Sequence, residues 1–214
     1  NHLYMYSLNG TNETALTKGE FDVTSFYGVD EKNKKVFYQA AEKSAMEKQV
    51  YSVGTNGRGK KLMTDFDGTN SAQFSSTFDY YVNNVSTINK PATYIVHDRK
   101  GNVVRKIEDN LALVKTQKQC NVNPIEFFEF ETSENVSLNG WILKPDNFDP
   151  KGNYPVFMYL YGGPGSQQVT NGWKGQNYWW FQMLADQGYI VAYVDNRGTG
   201  ARGQEFKKIT YKHT

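Results

Sequence analysis

The amino-acid sequence predicts incomplete β-propeller blades followed by the first part of an α/β domain with a parallel sheet. Three observations lead there. A tyrosine recurs in strand-like segments at spacings of 47 and 43 residues (Tyr4, Tyr51, Tyr94). The pattern changes at Pro124, from short alternating segments to longer apolar runs. Two of those runs flank a helical stretch in the order strand, helix, strand.

Residues 1–110 read as all-β, with no amphipathic helical period. His2 to Tyr6 is a strand and Ser7-Leu8-Asn9-Gly10 its turn. Val36 to Ala40 is another, preceded by the polar turn Asp30 to Asn33. Leu16-Thr17 is echoed by Leu62-Met63-Thr64, 46 residues later between the leucines. After each echo comes a strand pair, Val23 to Phe26 with Val36 to Tyr38, then Ala72 to Phe74 with Tyr80 to Val82. A period of ~40–50 residues with about four strands fits a propeller blade; a generic antiparallel sandwich is the alternative. About two blades are visible where a propeller closes with ~4–8, so further blades are expected upstream of Asn1. The turn Asp98 to Asn102 followed by Val103 to Ile107 reads as the final hairpin.

Residues 111–123 read as a connector, with room for a short helix. From 124 to 214 the strands are Phe127 to Glu131, Leu138 to Pro145, Tyr154 to Tyr161 and Tyr189 to Asp195. The last two runs are nearly continuous in apolar residues, as in strands buried on both faces. Trp179 to Gln187 reads as a helix that Gly188 ends. A β-α-β unit of this kind crosses over right-handed in a parallel sheet.

The bulk numbers exclude several function classes. Hydrophobic residues make up 38% and charged residues 21%, enough apolar surface for a packed core. Tyr (15), Phe (13) and Gly (19) favour strands and turns. A net charge of +2 with no basic block points away from nucleic acid. Cys120 is the one cysteine, so no internal disulfide forms, and a small buried or half-buried side chain is expected there. Metal-ligand spacings are absent. No apolar run reaches the length of a membrane span, and no leader opens the sequence. Triplets of the form N-x-[ST] start at Asn9, Asn12, Asn84 and Asn135, a number that chance alone supplies in a chain rich in Asn and Thr.

Two loops could bear chemistry. The first, Tyr161-Gly162-Gly163-Pro164-Gly165-Ser166-Gln167, leaves the carboxyl end of a strand, where open α/β sheets gather ligands. In α/β-hydrolases the corresponding loop supplies part of the oxyanion hole, and the Tyr161 hydroxyl is a candidate donor. An ordinary strand-to-helix turn with Tyr161 packed or hydrogen-bonded is the alternative. A phosphate-loop reading fails for want of Gly-Lys-Ser/Thr. The second loop runs from Asp195 to Gly203 and contains a literal G-x-G-x-x-G, but three polar residues separate it from its strand, which disfavours a dinucleotide. Asp195 and Arg197 are expected to pin this turn. No G-x-S-x-G occurs, and Ser166 does not start one. His2, His97 and His213 lie in blade strands and at the end of the chain, and none is a triad base. Glu134 and Asp146 read as surface turns.

Taken in order, the motifs resemble the dipeptidyl peptidase IV family of prolyl oligopeptidase-like serine peptidases. They are Leu16-Thr17-Lys18-Gly19 with Val23-Thr24, Ile107 to Asn110 with Ala112-Leu113, Leu143-Lys144-Pro145 with Asn147-Phe148-Asp149, Tyr154-Pro155-Val156, and the two glycine-rich loops. Each is weak alone; their order and spacing are specific, and the resemblance spans essentially the whole chain. It implies the end of a β-propeller joined to the N-terminal part of an α/β-hydrolase domain. The implied activity is release of N-terminal X-Pro dipeptides from peptides with proline at the second position, by a Ser-Asp-His triad placed after Thr214. Only Tyr161 carries over, as the oxyanion-hole donor; the acidic pair that grips the substrate amine has no match here, and substrate-binding residues are unassigned. The resemblance further implies a homodimer, no cofactor, and a periplasmic, cell-surface or secreted setting. An acylaminoacyl-peptidase, a prolyl endopeptidase or an esterase of the same architecture is the enzymatic alternative, and a non-catalytic binding homologue the other. The chain by itself is expected to lack peptidase activity.

Overall fold

A computed structural model describes residues 1–163 and 165–211 of the chain. Strands β1 (Tyr4–Tyr6) and β2 (Glu13–Ala15) form a two-stranded ribbon. Strands β3 (Val23–Asp30), β4 (Lys35–Ala40), β5 (Gln49–Gly54) and β6 (Lys61–Leu62) form an antiparallel sheet in sequence order. Strands β7 (Thr69–Phe74), β8 (Tyr80–Thr87), β9 (Lys90–Asp98) and β10 (Val103–Glu108) repeat that arrangement. Tyr4, Tyr51 and Tyr94 fall in β1, β5 and β9. The tyrosine period therefore marks the third strand of successive meanders, and β1–β2 match the last two strands of one.

The two meanders pack as blade-like sheets. Phe37 stacks on Phe78 with centroids 5.2 Å apart, and Phe74 lies 4.6 Å from Phe37. Gly28 makes room for this, since a Cβ there would sit 2.7 Å from the Phe78 ring. Buried amides link the same sheets. Gln39 donates to the Asn70 carbonyl at 2.6 Å, and Asn70 donates to the Gln49 side chain at 2.9 Å. Such a network in a low-dielectric core holds one sheet-to-sheet register, because a slip would strand its members unpaired.

Helix α1 (Leu111–Gln119) occupies the connector, as the sequence allows. Cys120 caps it and is exposed, contrary to the buried or half-buried expectation. A capping position at the end of a polar helix offers no core to enter.

The last sheet is mixed, in the order β11, β12, β14, β13. Its strands are β11 (Ile125–Glu131), β12 (Ser137–Leu143), β13 (Val156–Met158) and β14 (Ile190–Val194). Helix α2 (Gln176–Asp186) connects β13 to β14, which pair in parallel. Gly188, at φ 87°, turns the chain out of the helix, as expected. Phe181 and Ala185 of α2 cluster with Trp141, Leu143, Val191 and Tyr193 of the sheet. A short helix, α3 (Gly203–Lys208), is the last helix or strand among the described residues.

The run Tyr154 to Tyr161 departs from the expected doubly buried strand. Only Val156–Met158 are in the ladder, and Val156 and Met158 are 57% and 49% exposed. Strand β13 lies at the sheet edge, and α2 covers the opposite face, where Phe157 meets Trp180 edge-on at 5.0 Å. Apolar composition identified a strand but not the number of faces covered.

Candidate functional site

Tyr161 stands just past β13. The parallel ladder continues one step beyond the strand, with the Tyr159 amide donating to the Ala192 carbonyl at 3.0 Å. Two residues later the Tyr161 amide donates instead to the phenol oxygen of Tyr193, at 2.9 Å. The chain then turns at Gly162, whose φ of 70° favours glycine. The Tyr161 side chain is 66% exposed, with its ring over Gly163. Tyr161 is therefore not packed into the core; it stands exposed at the sheet's carboxyl edge.

The second loop braces the first. Gly165 donates to the Gly198 carbonyl at 2.8 Å, and Gly200 donates to the Ser166 carbonyl at 3.2 Å. Asp195 is buried, and its two carboxylate oxygens accept the amides of Gln168 and Val169 at 2.9 and 3.0 Å. The expectation that Asp195 pins its own turn is corrected: it holds the neighbouring loop. Arg197 reaches further still and pairs with Glu134 in the β11–β12 turn. Burial pushes the Asp195 carboxyl up, against the opposing pull of the two amides and of Lys174. Burial also lowers Lys174, to about 8, while Asp195 works in the other direction. The Lys174 ammonium donates to the Gln168 carbonyl at 2.6 Å and to the Thr170 hydroxyl at 3.0 Å.

The far end of the Tyr161 loop is anchored on the blade-like sheets. Gln167 donates to the Ala45 carbonyl at 2.6 Å. Asn171 donates its backbone amide to the Met46 carbonyl and its side-chain amide to Glu47, both at 2.7 Å. The Ile88 amide donates to the Asn171 side chain at 3.0 Å. A groove of about 1750 Å³ opens beside the loop, lined among others by His2, Tyr4, Ser137, Gly165, Arg202 and Phe206.

Other residues weighed from sequence have structural partners. The Ser166 hydroxyl donates to the Gly163 carbonyl at 2.6 Å, so it shapes the turn. His2 is bonded to Thr17 and to the Gly19 carbonyl. His97 is buried, bonded to the Gly101 carbonyl and stacked on Tyr81 at 4.9 Å. His213 lies outside the described residues, as does Pro164 of the first loop. Sequence reasoning missed Tyr193, Asn171 and Glu47. A polar-tipped residue inside a buried strand was the available signal for Tyr193; the other two have none, since they meet each other across 124 positions of sequence.

Comparison with known proteins decides the family. Residues 1–92 match the family described as the dipeptidyl peptidase IV N-terminal region, and residues 175–214 match the prolyl oligopeptidase family. The solved structure of Porphyromonas gingivalis dipeptidyl peptidase 4 superposes with a TM-score of 0.91 at 43% identity, over 98% of this chain and 29% of that one. The chain belongs to the dipeptidyl peptidase IV family. Dipeptidyl peptidase 4 of Arthroderma otae is 35% identical over 99% of this chain, and that of Trichophyton rubrum 32% over the same share. The chain spans 28% of the length of both relatives. Tyr161 and its loop lie between the two matched segments.

Proposed function

We propose that this chain is the junction segment of a serine exopeptidase that removes N-terminal X-Pro dipeptides from peptides. Residues 1–110 are read as propeller blades, 111–123 as the connector and 124–214 as the N-terminal part of an α/β-hydrolase domain. Tyr161 is read as a donor to the oxyanion. The observation that supports this best is the exposed Tyr161 side chain on a braced loop at the carboxyl edge of a mixed sheet. The peptide relatives supply the reaction class, since those proteins are named dipeptidyl peptidases.

The chemistry assigned to these residues is electrostatic. As a nucleophile attacks a peptide carbonyl, charge grows on the oxygen, and a preplaced hydroxyl donor lowers the energy of that state more than that of the substrate. The nucleophile, base and acid are read as lying beyond this chain. Homodimerisation and a periplasmic, cell-surface or secreted setting belong to the same proposal and rest on the resemblance.

The test uses the full-length protein and Gly-Pro-anilide. Release of the dipeptide, blocked by a serine-directed inhibitor, is the expected result, and Tyr161→Phe is expected to lower kcat by ~10²–10³ with KM little changed. A protein that cleaves acetyl-alanyl anilide but not Gly-Pro-anilide points to the acylaminoacyl-peptidase alternative. Loss of binding with kcat intact in Tyr161→Phe contradicts the oxyanion role.

A further inference from the structure

Where the chain leaves the sheet at Leu160, the ladder has an irregularity with a specific remedy. In a parallel pair, alternate amides of one strand face the neighbour. After Tyr159, the next amide on that side belongs to Tyr161, and its natural acceptor would be a backbone carbonyl of β14. The main chain has already moved away. The acceptor is instead the phenol oxygen of Tyr193, which projects from β14 and takes the Tyr161 amide at 2.9 Å.

Tyr193 is itself held. It is 2% exposed, and its ring packs between Trp141, at 6.1 Å and nearly parallel, and Tyr159, at 5.4 Å. A buried aromatic ring with neighbours on both sides has little rotamer freedom, so the position of its oxygen is set by the core under the sheet. The Tyr161 amide is held to that oxygen. This bond fixes the backbone leading into the Tyr161 Cα, and with its amide engaged, the hydroxyl is the donor that Tyr161 has left to offer a ligand.

We propose that Tyr193 is a positioning residue: its buried phenol replaces a missing ladder acceptor and so fixes the main chain that aims the Tyr161 hydroxyl. This rests on the oxyanion role proposed for Tyr161. Tyr193 touches no reacting atom in this scheme and acts only through Tyr161. A catalytic donor displaced by about 1 Å loses up to ~10²-fold in rate, which sets the size of the effect to look for.

The experiment is a double-mutant cycle in the full-length protein, reading kcat and KM for Gly-Pro-anilide in Tyr193→Phe, Tyr161→Phe and the double variant. Tyr193→Phe is expected to lower kcat by ~10–10²-fold with KM within about twofold. In the Tyr161→Phe background the same change is expected to have no further effect on kcat, because the group it aims is gone. Equal losses in both backgrounds mean that Tyr193 acts on the fold in general, and the proposal falls. Full kcat in Tyr193→Phe, beside an impaired Tyr161→Phe, overturns the Tyr193 role alone. Full kcat in Tyr161→Phe overturns the oxyanion reading and the Tyr193 role with it. A second measurement needs no variant: hydrogen exchange in the unmodified protein. The Tyr161 amide is expected to exchange more slowly than solvent-exposed loop amides, and unprotected exchange there contradicts the proposal.

Discussion

Gly163 lies outside the left-handed region, so its lack of a side chain answers to space rather than to backbone strain. A Cβ at this position would meet the Tyr161 Cε1 at 2.6 Å. The Tyr161 ring is exposed and free to move aside, so the fold survives the clash while the hydroxyl is displaced. Gly163→Ala is therefore expected to lower kcat by ~10-fold or more in the full-length protein, with a thermal midpoint close to that of the parent. A falling midpoint with kcat unchanged would place the cost in folding. Lys174 offers a second residue-level test. Burial brings its ammonium to about 8, from an ordinary value of 10.5. Between those two pH values the unfolded chain keeps a proton that the native protein has lost, so stability rises with pH across that window. The contribution of Lys174 is complete above 10.5 and is lost as pH falls through 8. Chemical denaturation of the parent and of Lys174→Met, from pH 7 to 10, is expected to show a difference that moves in favour of the parent as pH rises. A difference that stays constant contradicts the assignment.

At the scale of the element, two loops at the sheet's carboxyl edge act as one unit. Backbone bonds cross from Gly165 to Gly198 and from Gly200 to Ser166, and the Asp195 carboxylate accepts two amides beyond them. Such close approach requires small residues: a Cβ on Gly200 would come within 3.0 Å of the Gly165 carbonyl oxygen. Asp195→Ala leaves two amides without their acceptor, one of them buried, at ~1–3 kcal/mol for each buried group left unpaired. The expected outcome is faster hydrogen exchange at Gln168 and Val169 and a lower kcat through the loosened Tyr161 loop. Unchanged exchange at both amides would show that the carboxylate does not brace the loop.

At the scale of the whole molecule, the turn between β8 and β9 joins the blade-like sheets to the mixed sheet. Ile88 is 2% exposed and packs in the same core as Trp141 and Phe181. Asn89 clasps Ile125 in both directions, donating to its carbonyl at 2.9 Å and accepting its amide at 2.8 Å. Ile88→Ala is expected to cost ~2–5 kcal/mol and to lower the unfolding midpoints of both parts together, as seen by calorimetry. A midpoint shift confined to one part would mean that the two are not coupled through this turn. The outer side of β13 is a different matter. Val156 and Met158 are exposed on a strand that, among the described residues, has a neighbour on one side only. An open apolar edge pairs with other chains, so the 214-residue chain is expected to self-associate. A monodisperse monomer in light scattering at high concentration would contradict this.

The sequence by itself determined the strand-rich meanders, the β-α-β unit and the place of Tyr161 at a strand end. Those features rest on local patterns: a tyrosine period, a turn with glycine at its helix end, and apolar runs of strand length. The resemblance to the dipeptidyl peptidase IV family was legible for the same reason, since motif order survives in one dimension. Tertiary structure decided the rest. The run before Tyr161 reads as doubly buried because composition records apolarity and not coverage, and the structure leaves one face of β13 open. Asp195 read as the pin of its own turn because its neighbours in sequence were the only partners in view, and the structure turns it to Gln168 and Val169. Asn171 and Glu47, or Tyr161 and Tyr193, meet only when separate segments are brought together. A hydrogen bond is satisfied by distance and direction in space, and sequence separation specifies neither.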